Sequence, residues 1–138
     1  MIPKCSQLRD CYLFDVYQTE GAALKELVAN KQVALIVDEL SDSEGRFVLD
    51  VMAVFLDFDE LSPVGDSVAW LVDSHFLSET NNRAVSQAVV KTVHDYSIEY
   101  DNVRVFNSDN VSYMKRHFVT HCLVYFPSAF TSHATATL

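Results

Sequence analysis

The sequence predicts an α/β fold, and three observations predict it. Apolar residues recur at helical spacing in two separate stretches, one near the N-terminus and one after Thr80. Between them lie three successive apolar runs of strand type. A further run of this type, Val103-Arg-Val-Phe106, follows the second helical stretch.

The first helix is expected over residues 7–29, where Leu8, Cys11, Tyr12, Val16, Ala23 and Leu27 share a face. Ser6 is placed to cap its start. Gly21 weakens its middle by about 1 kcal/mol relative to alanine. Asn30-Lys-Gln ends it. Residues 33–37 are continuously aliphatic, as in a strand buried on both faces. The polar stretch 40–46, with Gly45, reads as a turn. Residues 47–56 form the returning strand of a hairpin, interrupted only by Asp50. A loop with Pro63 and Gly65 then leads to a third strand over 67–72, which carries Trp70 as a core residue. Thr80-Asn-Asn is a helix-start signal, and Ala84, Val85, Ala88, Val89, Val93 and Tyr96 line one face of a helix reaching about Ile98. The fourth strand spans 103–106 and a turn follows at 107–110. A short helix at 111–119 and a short strand at 123–126 are expected next.

Helix, three hairpin-connected strands, crossover helix and parallel strand is the opening of a ribonuclease H-like layout. We therefore expect a partial ribonuclease H-like domain over residues 1–127, preceded by its N-terminal helix, and a poorly patterned tail over 128–138. In that layout the first and fourth strands are neighbours at the centre of the sheet. Asp38 and Asp109 follow their apolar runs, so the topology would bring together two carboxylates 71 positions apart. Oxygen ligands of this kind suit Mg²⁺ or Mn²⁺. An Asp at a strand end is also a common turn former. Asp50 either approaches this pair or faces water on an edge.

Composition bounds the rest. The 138 residues are 49% hydrophobic and 21% charged, which fits one domain with a real core. The net charge of −9 opposes free-standing nucleic-acid binding, which needs basic residues against phosphates. No apolar run approaches the roughly 20 residues of a membrane helix. No apolar signal core opens the chain. Cys5, Cys11 and Cys122 are odd in number and suit reduced intracellular thiols. Cys5, Cys11, His117 and His121 lack the spacing of a zinc finger. Glu39, Asp42 and Glu44 read as a solvated acidic turn for Arg46 to pair with. No nucleophile, base and orienting group stand out among Ser, Cys and His.

Two blocks carry a family resemblance. Leu35-Ile-Val-Asp-Glu-Leu-Ser-Asp-Ser-Glu-Gly-Arg-Phe-Val48 resembles the first catalytic block of hAT-type DNA transposases and their domesticated relatives. Val103-Arg-Val-Phe-Asn-Ser-Asp-Asn-Val-Ser-Tyr-Met114 resembles the second. The stretch around residues 77–82 and the helix before the first block are also similar, so the likeness runs from about Pro3 to Pro127. It implies that Asp38 and Asp109 are catalytic and bind Mg²⁺ or Mn²⁺, that a distant Glu completes the site, that DNA is the ancestral partner, and that the protein is nuclear. Two metal ions held this way can activate a water or a 3′-hydroxyl and stabilise the leaving oxygen. The departures are plain. No Asp or Glu follows Asp109, and Ala134 and Thr137 stand where the family often has Cys and His. The family's N-terminal zinc finger and C-terminal dimerisation region have no counterpart here. The expectation is a truncated transposase-derived fragment without catalysis of its own, its metal binding weak. The alternative is a domesticated module that binds a protein partner, or itself, through an exposed sheet or helix surface.

Overall fold

The computed structural model describes residues 4–56, 68–108 and 130–131. A helical N-terminus is built from α1 (Cys5–Gln7), a π-helical turn (Leu8–Tyr12) and α2 (Leu13–Val28). There follow β1 (Val33–Ser41), β2 (Phe47–Phe55), β3 (Ala69–Leu77), α3 (Asn82–Asp95), a 3₁₀ turn (Tyr100–Asn102), β4 (Val103–Ser108) and β5 (Phe130–Thr131). The sheet order is β3-β2-β1-β4-β5. β1 runs antiparallel to β2, and β2 antiparallel to β3. β4 lies parallel to β1 and β5 parallel to β4. The chain thus forms the expected α/β arrangement of a leading helix, three antiparallel strands, a crossover helix and a parallel strand. β5 falls within the stretch that sequence pattern leaves without structure. The helix and strand expected at 111–119 and 123–126 lie outside the described residues.

Strand alternation builds the core. Val33, Leu35 and Val37 are buried on one face of β1, beside Leu49, Val51 and Ala53 of β2 and Val103 and Phe106 of β4. Val85, Ala88, Val89 and Val93 of α3 pack on the same cluster at helical spacing. The N-terminal helix contributes chiefly its last turn, Leu24 and Val28. α3 starts on Asn81, whose Oδ1 accepts the Ala84 N–H at 2.9 Å. It ends through Ser97 at φ 53°, with the Ile98 N–H donating to the Val93 carbonyl at 2.9 Å. That closure swings Ile98 into the core.

The β1–β2 hairpin is set by its turn. The Asp42 carboxylate accepts the Glu44 and Arg46 backbone N–H groups at 2.9 Å, and the Arg46 Nε at 2.6 Å. Gly45 supplies the left-handed residue, φ +76°. The Arg46 backbone N–H, joined by the Arg46 side chain and the Glu44 N–H, holds the Asp42 carboxyl below the usual carboxylate range against a smaller effect of burial. Arg46 also reaches Glu44 at 3.3 Å, so the acidic turn pairs with it as the sequence suggests.

Several boundaries differ from expectation. β1 continues to Ser41, so Asp38 is not at a strand end; residues 38–41, polar except for Leu40, stay in the ladder because each has a β2 partner. β3 extends to Leu77 because Asp73, Ser74 and His75 pair with Val51, Asp50 and Leu49. A bulge beside Val51 keeps Val72 in the core. Asn107 and Ser108 belong to β4, not to a turn. Ser6 lies inside the first helical turn, which begins at Lys4, whose N–H donates to Gln7 Oε1 at 3.2 Å. Trp70 is not a core residue: on the outer strand β3 it is 42% exposed and tilted against Phe55, ring centroids 6.5 Å apart.

Burial separates the large side chains by consequence. Phe106→Ala empties a fully packed site and should cost about 3–5 kcal/mol. Phe76, 65% exposed with the Arg46 guanidinium 4.7 Å from its ring centre, should lose no more than about 1 kcal/mol on the same change. Urea denaturation of both variants measures the difference.

Candidate functional site

A polar row crosses three strands. β1 and β2 place Asp38 directly opposite Asp50, and β2 and β3 place Asp50 opposite Ser74. Side chains alternate along a strand, so this row lies on the face opposite buried Val37 and Val51. Asp38 is exposed and Asp50 half-buried. The Ser74 hydroxyl donates to Asp50 Oδ1 at 2.6 Å. Like charges directly opposite in a sheet repel. The hydroxyl offsets part of that by stabilising one of the two carboxylates.

Of the sequence-predicted pair, Asp38 is in place on β1 and Asp109 lies outside the described residues. Among the described residues the parallel pairing of β1 with β4 reaches Val37 opposite Ser108. Asp50 is the residue whose position sequence reading leaves open, and it faces Asp38. Its signal is the hairpin register: once the Asp42–Arg46 turn closes on Ser41 and Phe47, counting back along both strands pairs 38 with 50.

Two aligned carboxylates with a serine hydroxyl are hard oxygen donors, the chemistry that takes Mg²⁺ or Mn²⁺. Among the described residues no group of three or more His, Cys, Asp or Glu is arranged to hold a metal ion. Two carboxylates leave most of an octahedral shell to water. The cysteines Cys5 and Cys11 are free and exposed, and His117 and His121 lie outside the described residues.

A second polar cluster escaped sequence reading. His75 Nε2 lies 2.7 Å from Thr92 Oγ1 and 3.3 Å from Asp73 Oδ2, between β3 and α3. It gathers a hydroxyl, an imidazole and a carboxylate, yet it cannot relay a proton as a nucleophilic triad does. Such a relay uses one ring nitrogen for the hydroxyl and the other for the acid. Here one nitrogen meets both groups. Thr92 is fully buried, so its oxygen meets no substrate. The cluster satisfies the hydroxyl of a polar residue in the core, where an unpaired group would cost about 1–3 kcal/mol. The 17-residue separation of His75 and Thr92 hides it in the sequence.

The row predicts opposite signs for two substitutions at neutral pH. Asp38→Asn removes the repulsion with Asp50 and should stabilise the fold by up to about 1 kcal/mol. Ser74→Ala takes a hydrogen bond from Asp50 and should destabilise by about 1–2 kcal/mol. Urea midpoints read both, and a loss of stability in Asp38→Asn would mean that the two carboxylates do not repel. Searched against models of known protein families and against curated proteins, the chain matches none.

Proposed function

We propose that this domain is a ribonuclease H-like, transposase-derived domain whose ancestral chemistry is metal-dependent DNA strand cleavage and transfer, and which does not cleave DNA by itself. The observation that carries the reading is the sheet: order β3-β2-β1-β4-β5, β1 antiparallel to β2 and parallel to β4, with Asp38 on the central strand. The resemblance of the blocks around Asp38 and Asp109 to those of hAT-type transposases supports the same reading. In it, Asp38 and Asp109 hold Mg²⁺ or Mn²⁺, and a nuclear location follows from the resemblance. The bound ion would supply a Lewis acid for phosphodiester chemistry. The chain's own part would be to hold Asp38 on the central strand, opposite Asp50. Within this sequence no Asp or Glu follows Asp109 to serve as the third acid, and the net charge of −9 repels the phosphate backbone. Purified protein with Mn²⁺ and linear, hairpin or branched DNA should therefore give no cleavage. Nicking that disappears in Asp38→Ala would refute the inactivity. Mg²⁺ should raise the thermal midpoint only slightly and only at millimolar concentration, and Asp38→Asn should abolish that rise.

A second reading is favoured by the N-terminal helix. Leu8, Tyr12, Leu13, Phe14, Val16 and Tyr17 are all substantially exposed, Phe14 the most at 67%. Contiguous apolar surface of this kind marks interaction sites. Under this reading the domain is an interaction module that docks a protein partner or itself by that helix. Replacing Leu13 and Phe14 together by serine should reduce binding of a hydrophobic dye and any self-association seen by light scattering. A wild-type monomer that binds no dye would remove the reading.

A further inference from the structure

A cleft of about 680 Å³, open to solvent on one side, lies between α2 and β3. It falls in the size range of small-molecule sites. Three aromatic side chains, Tyr17, Trp70 and Tyr96, and two carboxylates, Glu20 and Asp73, stand in its wall. Most of the remaining lining is aliphatic, and none of it is Lys, Arg or His. The cavity exists because α2 meets the core chiefly through its last turn, while Tyr17 and Glu20 sit farther up the helix.

We propose that this cavity binds a small organic ammonium ion, its charge held among the three rings and the two carboxylates. Aromatic faces carry negative potential and attract cations, at partly exposed sites such as this one as well as in desolvated ones. An anion would meet repulsion from Glu20 and Asp73. A neutral ligand would desolvate those carboxylates with nothing in return. A strongly hydrated metal ion would gain little from an aliphatic wall, whereas an alkylated ammonium buries its methyl groups there. The surroundings are electrically consistent. The Tyr96 hydroxyl is held above its ordinary phenol value, first by burial and then by the negative charge of Asp73. The nearby cation, Lys91, is engaged by Asp95. Among the described residues Glu20 makes no hydrogen bond or ion pair, while Asp73 is shared with the Ser74 backbone N–H and His75. The assignment does not depend on the transposase reading, because neither Asp38 nor Asp50 lines the cavity.

Trp70 is the single tryptophan of the chain, so its emission reports on this cavity directly. The probe is choline, and its control is the carbon isostere in which a tert-butyl group replaces the trimethylammonium. Choline should produce a saturable change in Trp70 emission, matched by calorimetric titration, that sodium chloride at equal ionic strength does not reproduce. The isostere should bind at least about tenfold more weakly. Glu20→Gln and Tyr17→Leu, both at exposed positions that leave the fold intact by circular dichroism, should each weaken choline by about threefold to tenfold. An equal response to the isostere would make the site merely apolar and overturn the proposal. So would the absence of a saturable response, or unchanged affinity in both variants.

Discussion

The central strand β1 is hydrogen-bonded along both edges, antiparallel to β2 and parallel to β4, and this double pairing decides where every other element lies. A parallel neighbour requires a long crossover, which β3 and α3 help to span. The crossover helix must cover the sheet, and it covers the face where Val33, Leu35 and Val37 point. Burying that apolar row against α3 contributes roughly 1.5–3 kcal/mol for each fully buried side chain. The opposite face of β1 is left for Ala34, Ile36 and Asp38. The polar row therefore follows from the same pairing that makes the core.

Register is the second constraint, and the turn enforces it. Asp42 satisfies the backbone of its own loop, and Gly45 adopts a conformation that other residues rarely do. A slip of one residue in the hairpin would carry Val37 and Val51 to the open face and Asp38 and Asp50 into the core. Two unpaired carboxylates in that core would cost far more than any alternative turn could recover. Asp38 and Asp50 thus act against misregister whether or not they meet a metal.

The elements legible in the sequence are those whose pattern is local. The aliphatic run of β1, the Val85, Val89 and Val93 face of α3 and the Asn81 cap all declare themselves within a few residues. The aliphatic run points to Asp38 but stops the strand at Val37, whereas the ladder carries on to Ser41. What escaped is set by partners far along the chain. Asp73, Ser74 and His75 do not read as a strand, yet β2 supplies their ladder bonds. Thr92 looks like a break in the apolar face of α3, and only His75 on β3 makes it a core residue. Trp70 reads as core by residue type, but the topology puts its strand at the rim. Asp50 is intermediate, since its alignment with Asp38 follows from the turn and could be counted once the turn was fixed.

The two proposed sites differ in the kind of cation each would hold, and hydration decides between them. Asp38 and Asp50 stand on the face away from the α3 core, with Asp38 exposed. A divalent ion held by Asp38, as proposed, would keep most of its water there, which suits the reluctance of Mg²⁺ to dehydrate. The cavity beneath α2 is walled mainly by hydrocarbon and rings. Such a wall cannot replace a tight hydration shell, but an alkylammonium has none to lose and adds buried methyl groups to its charge. A net charge of −9 raises the local concentration of cations at both. Overall charge is thus common to the two sites, and the wall chemistry would sort which cation enters each.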